Sequence, residues 1–303
     1  MMSKHVAVLM GGWSSEREVS LVTGRECSKA LTAAGFTVSE IDVGRDIARV
    51  LAEAKPDVCF NALHGRFGED DRIQGLLDIL GIPYTHSGVM ASAIAMNKVR
   101  TKEICGAVGI PLAEHKVVRR KVAFAGDAMA RPYVIKPIAE GSSIGVRIVR
   151  EGDNLPPDED WRYGEQVLVE RYVAGRELTV AVMGDRPLTV TEIRPRTGFY
   201  DYVNKYTEGK ADHLLPAPVP KPIFYQAMDV ALRAHQTLGC RGVSRSDFRY
   251  DDTGAPPGRL IFLEINTQPG MTPLSLVPEQ AAHLGISFKD LVALMVEEAR
   301  CDS

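Results

Sequence analysis

The first third of the chain switches repeatedly between two hydrophobic rhythms, and few folds accept that alternation. Residues 5–10, 37–43 and 58–60 read as strands, the first broken off by Gly11-Gly12. Between them Val19, Val22, Ala30, Leu31 and Ala34, and then Ile47, Val50, Leu51 and Ala54, recur at helical spacing. Leu76, Leu77 and Leu80 mark a third helix. Residues 15–18 have the spacing of a capping box, and Gly35 and Gly81 are helix stops. A β-α-β-α-β order implies a small parallel sheet covered by helices.

From about Asn97 the rhythm changes. One helix runs to about Ala107, and short strands follow at 116–118, 133–136, 144–149, 167–171 and 177–183. Residues 151–164 are acidic and contain proline, the composition of an exposed connection. The last third holds a strand at 189–193, a helix over 223–238 stopped by Gly239, and a final amphipathic helix capped by Ser287. Between strand and helix, residues 194–222 are rich in Tyr, Lys and Pro. That stretch is too long for a plain connection and reads as a lid or binding loop.

The bulk properties narrow the function classes. A chain of 303 residues suffices for two or three domains. With 45% hydrophobic and 25% charged residues it reads as soluble and globular. A net charge of −3 gives no reason to expect nucleic acid or an anionic membrane as partner. No apolar run is long enough to span a bilayer, and Met1 to His5 lead into a strand without a signal-peptide pattern. The five cysteines are scattered, with neither metal-ligand nor redox spacing, so the expected compartment is the reducing cytoplasm.

Chemistry concentrates near the C-terminus. Residues 242–250 and 260–266 read as two strands joined at Asp251-Asp252-Thr253-Gly254, a hairpin signal. Alternation puts Arg245 and Asp247 on one face, beside Glu264 and Asn266, with Ile261, Leu263 and Ile265 turned to the core. Two carboxylates and an amide oxygen on one face suit Mg²⁺ carrying nucleotide phosphates; a merely solvated hairpin face reads the same way. Residues 267–272 form a tight loop at the strand end, where sites collect.

Other segments supply complementary groups. Gly11 to Glu16 sits where a parallel strand ends and a helix begins, the usual ligand position, and Glu16 suits an ammonium group; ordinary helix-start chemistry is the alternative. No P-loop pattern occurs. Lys136 ends a buried strand, and Glu140 to Gly145 is a turn with two hydroxyls and free backbone N–H groups, fit to cover phosphates. Lys98, at a helix start, is a second cation, although either lysine alone reads as a surface residue. Glu170, Arg171, Tyr172 and Val173 end a strand and could pair with an adenine, with Glu177 on ribose hydroxyls; a charged strand end is the bland alternative. His64 follows the third strand, and a lone histidine is more often structural. Cations for phosphate together with acids for metal make up the inventory of a phosphoryl-transfer site.

These segments resemble D-alanine–D-alanine ligases of the ATP-grasp superfamily over nearly the whole chain. The resemblance rests on Gly11-Gly12-x-Ser14-x-Glu16-Arg17-Glu18-Val19-Ser20, Leu63-His64-Gly65 with Gly68-Glu69-Asp70, and Gly88-Val89-Met90-Ala91-Ser92. It continues through Lys136-Pro137-x-x-Glu140-Gly141-Ser142-Ser143, Phe199-Tyr200-Asp201-Tyr202 with Lys205-Tyr206, and Glu264-x-Asn266-Thr267-x-Pro269-Gly270-Met271-Thr272 with Ser275-Leu276.

The resemblance implies an α/β, three-domain ATP-grasp fold. A small parallel αβ domain (1–97) would bind substrate, and two α+β units (98–183 and 184–303) would clamp ATP. It implies Lys98, Lys136 and Lys205 on phosphates, 170–173 on adenine and Glu177 on ribose. Asp247, Glu264 and Asn266 would hold two Mg²⁺ ions, with Mn²⁺ as a substitute. Glu16, near His64, would take the ammonium of the first D-alanine, and Ser275 and Leu276 the carboxylate of the second. Arg245 and the Gly270 N–H would stabilise an oxyanion; Tyr206, Ser142 and Glu16 would form a hydrogen-bonded set. The implied reaction joins two D-alanines for peptidoglycan synthesis, in a cytoplasmic homodimer; a D-lactate acceptor or an inactive nucleotide-binding homologue is the alternative. Asn97 and Gln268 depart from the aspartate and serine common in that family.

Overall fold

The computed structural model describes residues 3–196, 211–272 and 275–302. Its N-terminal sheet is parallel and three-stranded, in the order β2 (Thr37–Asp42), β1 (His5–Met10), β3 (Val58–Asn61). From Val6 to Leu9 every β1 residue is buried, as a central parallel strand covered on both faces requires. α2 (Ile47–Ala54) and α3 (Arg72–Leu80) cover one face, where Leu9, Ile47, Leu51 and Leu77 share a core. α1 (Arg17–Ala33) covers the other. It ends at Gly35, with Phe36 N–H donating to Leu31 O at 3.1 Å. The capping box expected at 15–18 does not form: Glu16 is the N-cap and makes no side-chain cap bond. The neighbouring Ser14 hydroxyl donates to His64 O, at 2.6 Å.

Two antiparallel sheets follow. One has the order β4 (His115–Arg119), β7 (Gln166–Arg171), β5 (Tyr133–Pro137), β6 (Arg147–Val149). The other runs β10 (Ala211–Leu214), β9 (Arg186–Pro195), β8 (Arg176–Met183), β11 (Val243–Asp251), β12 (Arg259–Asn266). Hydrogen bonding puts β8 between β9 and β11, so a division at 183/184 separates this strand from its sheet. β10 lies inside the stretch read as irregular. Residues 197–210 of that stretch, with Lys205 and Tyr206, lie outside the described residues.

Two helical segments of this region, at Val89–Met96 and Arg120–Ala125, depart from the sequence reading. α4 (Val89–Met96) precedes α5 (Lys98–Ala107), and α6 (Arg120–Ala125) covers the four-stranded sheet. α4 and α5 divide at Asn97, whose Oδ1 accepts from Val99 and Arg100 N–H at 3.2 and 3.1 Å. An amide oxygen caps as a carboxylate would, so Asn97 keeps the role of an aspartate there. Residues 151–164 are mostly exposed as expected, but Trp161 is buried against Phe124 and Tyr163. α7 (Lys221–Thr237) packs Ile223, Ala227, Val230 and Ala234 on one face of the five-stranded sheet. On its other face Ala181, Leu188 and Val243 meet β1, α8 (Leu276–His283) and α9 (Phe288–Glu297) in a single core. β8 slips register near Ala181, and Gln280 of α8 accepts its N–H at 2.9 Å.

The hairpin differs from the expected alternation in one place. Asp247 pairs with Glu264 but Phe248 with Phe262, so Leu263 is an extra residue. Core contacts come from Leu260, Phe262 and Ile265, whereas Leu263 lines a cleft beside Glu264. A bulge re-aims side chains in this way, and strict alternation cannot anticipate it. The core-facing assignment of Leu263 is thereby corrected, and Ile261 is half-buried.

Two outcomes follow for stability. A Cβ built on Gly24 of α1 would stand 2.5 Å from Met10 Cβ of β1. Gly24→Ala gains helix propensity but forces α1 off the sheet, and a net loss of about 1–3 kcal/mol is expected in urea unfolding. A more stable variant would show that the helix is free to shift. Burial holds His64 at a pKa of about 4, His86 at about 3 and His235 at about 4. Unfolded histidines titrate near 6.5, so the unfolded chain takes up protons the fold excludes, and stability falls from about pH 6.5 toward about 4. Glu69 and Glu140, raised by burial, oppose that trend. The urea midpoint at pH 5 should lie below that at pH 7; equal midpoints would mean the histidines charge within the fold.

Candidate active site

A cleft of about 880 Å³ separates the four-stranded sheet from the β11–β12 hairpin. It gathers most residues singled out from the sequence: Lys98 and Lys136; Glu170, Arg171, Tyr172 and Val173; Glu177, Asp247 and Glu264. Apolar walls come from Val134, Ile148 and Leu263. Lys136 and Glu170 reach it because β5 and β7 present them on the same side, with Val134 opposite Glu170.

Most charged side chains in the cleft lie within ion-pair distance of an opposite charge. Lys98 Nζ lies 3.0 Å from Glu264 Oε2 and 2.5 Å from Glu140 O. Lys136 Nζ lies 2.5 Å from Glu170 Oε2, and Lys102 Nζ 2.6 Å from Glu170 Oε1. Burial opposes the Glu170 charge, but the two lysines override it and hold the pKa at about 2. Burial likewise disfavours the Lys136 ammonium, yet Glu170, Glu264 and Glu177 raise its pKa on balance. Arg249 Nη1 lies 3.5 Å from Glu177 Oε2 and also donates to Val173 and Gly175 carbonyls, pinning the strand connection. Arg171 points away toward Glu114, at 3.4 Å, so its backbone rather than its guanidinium serves the cleft edge.

On the hairpin, Arg245 grips Asp247 in a fork, Nε to Oδ1 at 2.9 Å and Nη2 to Oδ2 at 2.8 Å. Thr179 Oγ1 also donates to Asp247 Oδ1, at 2.7 Å. Asn266 Oδ1 accepts from Gln268 N–H at 2.7 Å. Among the described residues no group of three or more His, Cys, Asp or Glu is placed to hold a metal ion by itself. The oxygen set of Asp247, Glu264 and Asn266 nevertheless fits a hard divalent ion that completes its shell with phosphate oxygens and water.

A second group meets at the mouth of the N-terminal sheet. The Ser142 hydroxyl donates to buried Glu16 Oε1 in a short hydrogen bond. Ser142 and Ser143 both have left-handed backbones, at φ 51° and 59°, and the strand read over 144–149 is shorter, covering only Arg147–Val149. Gly65 has φ 70°, and a Cβ there would stand 2.6 Å from Glu16 Oε2, so this loop needs glycine. Glu69 comes to the same point: a Cβ on Gly141 would meet Glu69 Oε1 at 3.3 Å and Glu16 Oε2 at 3.6 Å. Burial, and then the Glu16 charge, push the Glu69 carboxyl well above its usual range against Lys98. His64 is neutral, with Nε2 3.0 Å from Thr23 Oγ1.

Gly270 lies against Ser275, whose Oγ accepts from Thr272 N–H at 3.0 Å, and Leu276 is buried behind it. Gln268 joins this loop to the N-terminal sheet: its Oε1 accepts from Asn61 Nδ2 at 3.2 Å and its Nε2 donates to Asn61 O. Sequence reasoning missed Lys102, Glu69 and Asn61. Lys102 stands one turn after Lys98, a spacing that could have flagged it.

The family model for the D-ala D-ala ligase C-terminus matches residues 104–297, and that for the D-ala D-ala ligase N-terminus matches residues 43–87. The D-alanine–D-alanine ligase of Parvibaculum lavamentivorans is 58% identical over 304 residues, 99% of each chain. That of Rhizobium meliloti is 56% identical over 306 residues, again 99% of each. The structure is similar to the crystal structure of the Bacillus anthracis D-alanine–D-alanine ligase complexed with ATP, with a TM-score of 0.80 and 28% identity over 98% of this chain and 97% of that one. The chain therefore belongs to the D-alanine–D-alanine ligase family.

Proposed function

We propose that this protein joins two D-alanine molecules to D-alanyl-D-alanine using ATP, with ADP and phosphate as products, for peptidoglycan precursor synthesis. The observation that carries the reading is the single cleft in which Lys98 and Lys136 face Asp247 and Glu264. A carboxylate acylates poorly because its leaving group would be oxide. Attack of the first D-alanine carboxylate on the γ-phosphorus expels ADP and gives an acyl phosphate. The amine of the second D-alanine, after losing a proton, then attacks that carbonyl, and phosphate leaves.

In this reading Lys98 and Lys136 neutralise phosphate oxygens, and Lys205 adds a third cation. Residues 170–173 bound the adenine and Glu177 the ribose. Two divalent ions held by Asp247, Glu264 and Asn266 would supply charge neutralisation at the transferring group. Glu16, set by Ser142 and accompanied by Tyr206, holds the first ammonium beside His64. Arg245 and the Gly270 N–H receive the developing oxyanion, an arrangement that asks Arg245 to share itself with Asp247. Ser275 and Leu276 hold the second carboxylate. The reading includes a cytoplasmic homodimer. Among the described residues no helix is long and apolar enough to cross a membrane.

The first test is D-alanine-dependent phosphate release from ATP. Glu264→Gln and Asp247→Asn should fold normally and lose roughly 10²–10³ in kcat, as when charge stabilisation at a reacting centre is removed. Near-normal turnover by Glu264→Gln at ordinary Mg²⁺ would reduce this face to a solvated one. The second test is acceptor choice at pH 7.5 with D-alanine and D-lactate at equal concentration. The dipeptide should exceed the ester by about tenfold to a hundredfold, because D-lactate leaves polar groups of the subsite unmatched. Mainly ester product would overturn the assignment.

A further inference from the structure

We propose that Lys102 is a positioning residue for ATP: it keeps the Glu170 carboxylate paired, so that Lys136 can leave that carboxylate for the phosphates. The proposal deepens the reading above and rests on Lys136 meeting ATP. Two ammonium groups share one carboxylate here, Lys102 on Oε1 at 2.6 Å and Lys136 on Oε2 at 2.5 Å. Their surroundings differ sharply. Lys136 lines the cleft, whereas the Lys102 side chain is 1% exposed and lies behind Glu170, itself 3% exposed. Lys102 therefore cannot reach a ligand in the cleft, yet it belongs to the same charge chain.

Its location on α5 explains the geometry. Lys98 and Lys102 stand one turn apart, and they point to opposite walls of the cleft: Lys98 to Glu264 of β12, Lys102 to Glu170 of β7. The helix thus holds one acid of each sheet. Burial weighs most against the Lys102 charge, and Glu170 is the chief group that offsets it.

The consequence is an exchange of partners. When Lys136 turns toward a triphosphate, Glu170 retains Lys102 and remains paired. Without Lys102, Lys136 would be the only close cationic partner of this buried carboxylate among the described residues. Its departure would strand a buried charge, a state that proteins resist strongly. Glu170 would then hold Lys136 back, and ATP would bind more weakly. A purely structural Lys102, tying α5 to β7, would affect stability without singling out ATP.

The experiment measures KM for ATP and for D-alanine, with kcat, in full-chain Lys102→Met, Lys102→Met/Glu170→Gln and Lys136→Met. Lys102→Met should raise KM for ATP about tenfold to a hundredfold while KM for D-alanine stays within about twofold. Glu170→Gln alone is measured as the baseline, since Glu170 also borders the adenine; on that background Lys102→Met should change KM for ATP by no more than about twofold, because a neutral amide no longer detains Lys136. The proposal is overturned if Lys102→Met leaves KM for ATP unchanged, shifts both KM values together, or raises KM for ATP as much in the Glu170→Gln background as in the unmodified protein. In those cases a raised KM for ATP in Lys136→Met leaves the phosphate role of Lys136 standing. An unchanged value in Lys136→Met overturns that role instead. Lys102→Gln, which is uncharged but keeps a donor for Glu170, carries the same two measurements if the Met variant does not fold.

Discussion

A charge removed from water must be met by another, and the cleft between the two antiparallel sheets is organised around that demand. Lys98 with Glu264, Lys136 and Lys102 with Glu170, Arg245 with Asp247, and Arg249 with Glu177 are all partly or fully shielded from solvent. None of these pairs is strong grounds for stability, because desolvation consumes much of the attraction. Their value lies in readiness. A polyanion entering with divalent ions offers each side chain a new partner of the sign it already has, so binding can proceed by exchange and leaves few bare charges behind.

The exchange requires walls at fixed separation. One core runs from β1 and α1 through the back of the five-stranded sheet to α8 and α9. The N-terminal sheet is therefore packed on the same framework that carries the β11–β12 hairpin. The Asn61–Gln268 amide pair reinforces this contact with hydrogen bonds. Ser142 also reaches Glu16, so this carboxylate is approached by groups from separate parts of the chain.

The parallel sheet, the hairpin and most cleft residues were legible in the sequence, because period and turn chemistry are local. The reading failed where tertiary demands outweigh local ones. The capping box read over 15–18 does not form, and Glu16 stands as the N-cap of α1 without a side-chain cap bond. Leu263 changed face because a bulge inserted one residue into β12. β8 read as part of the central unit, since pairing with β9 and β11 leaves no trace in its own residues. α4 was hidden by its mixture of small and apolar residues, which lacks a polar face to set the period. Lys102 and Glu69 look like ordinary surface residues until the fold buries them. The family resemblance supplied the expected roles at Arg245, Gly270 and Ser275, which periodicity could not have provided.

The Asn61–Gln268 contact has a consequence for how such a chain can vary. Asn61 Nδ2 is shared between Gly68 O, at 2.9 Å, and Gln268 Oε1, while its carbonyl accepts from Gln268 Nε2. A shorter hydroxyl side chain at 268 could not span both contacts, and would leave buried polar atoms of Asn61 without partners. The two positions stand 207 residues apart yet are coupled through these hydrogen bonds. A relative that carries serine at the second position must fill the space in another way, through a different residue opposite or a trapped water, so a change at one position constrains what the other can be.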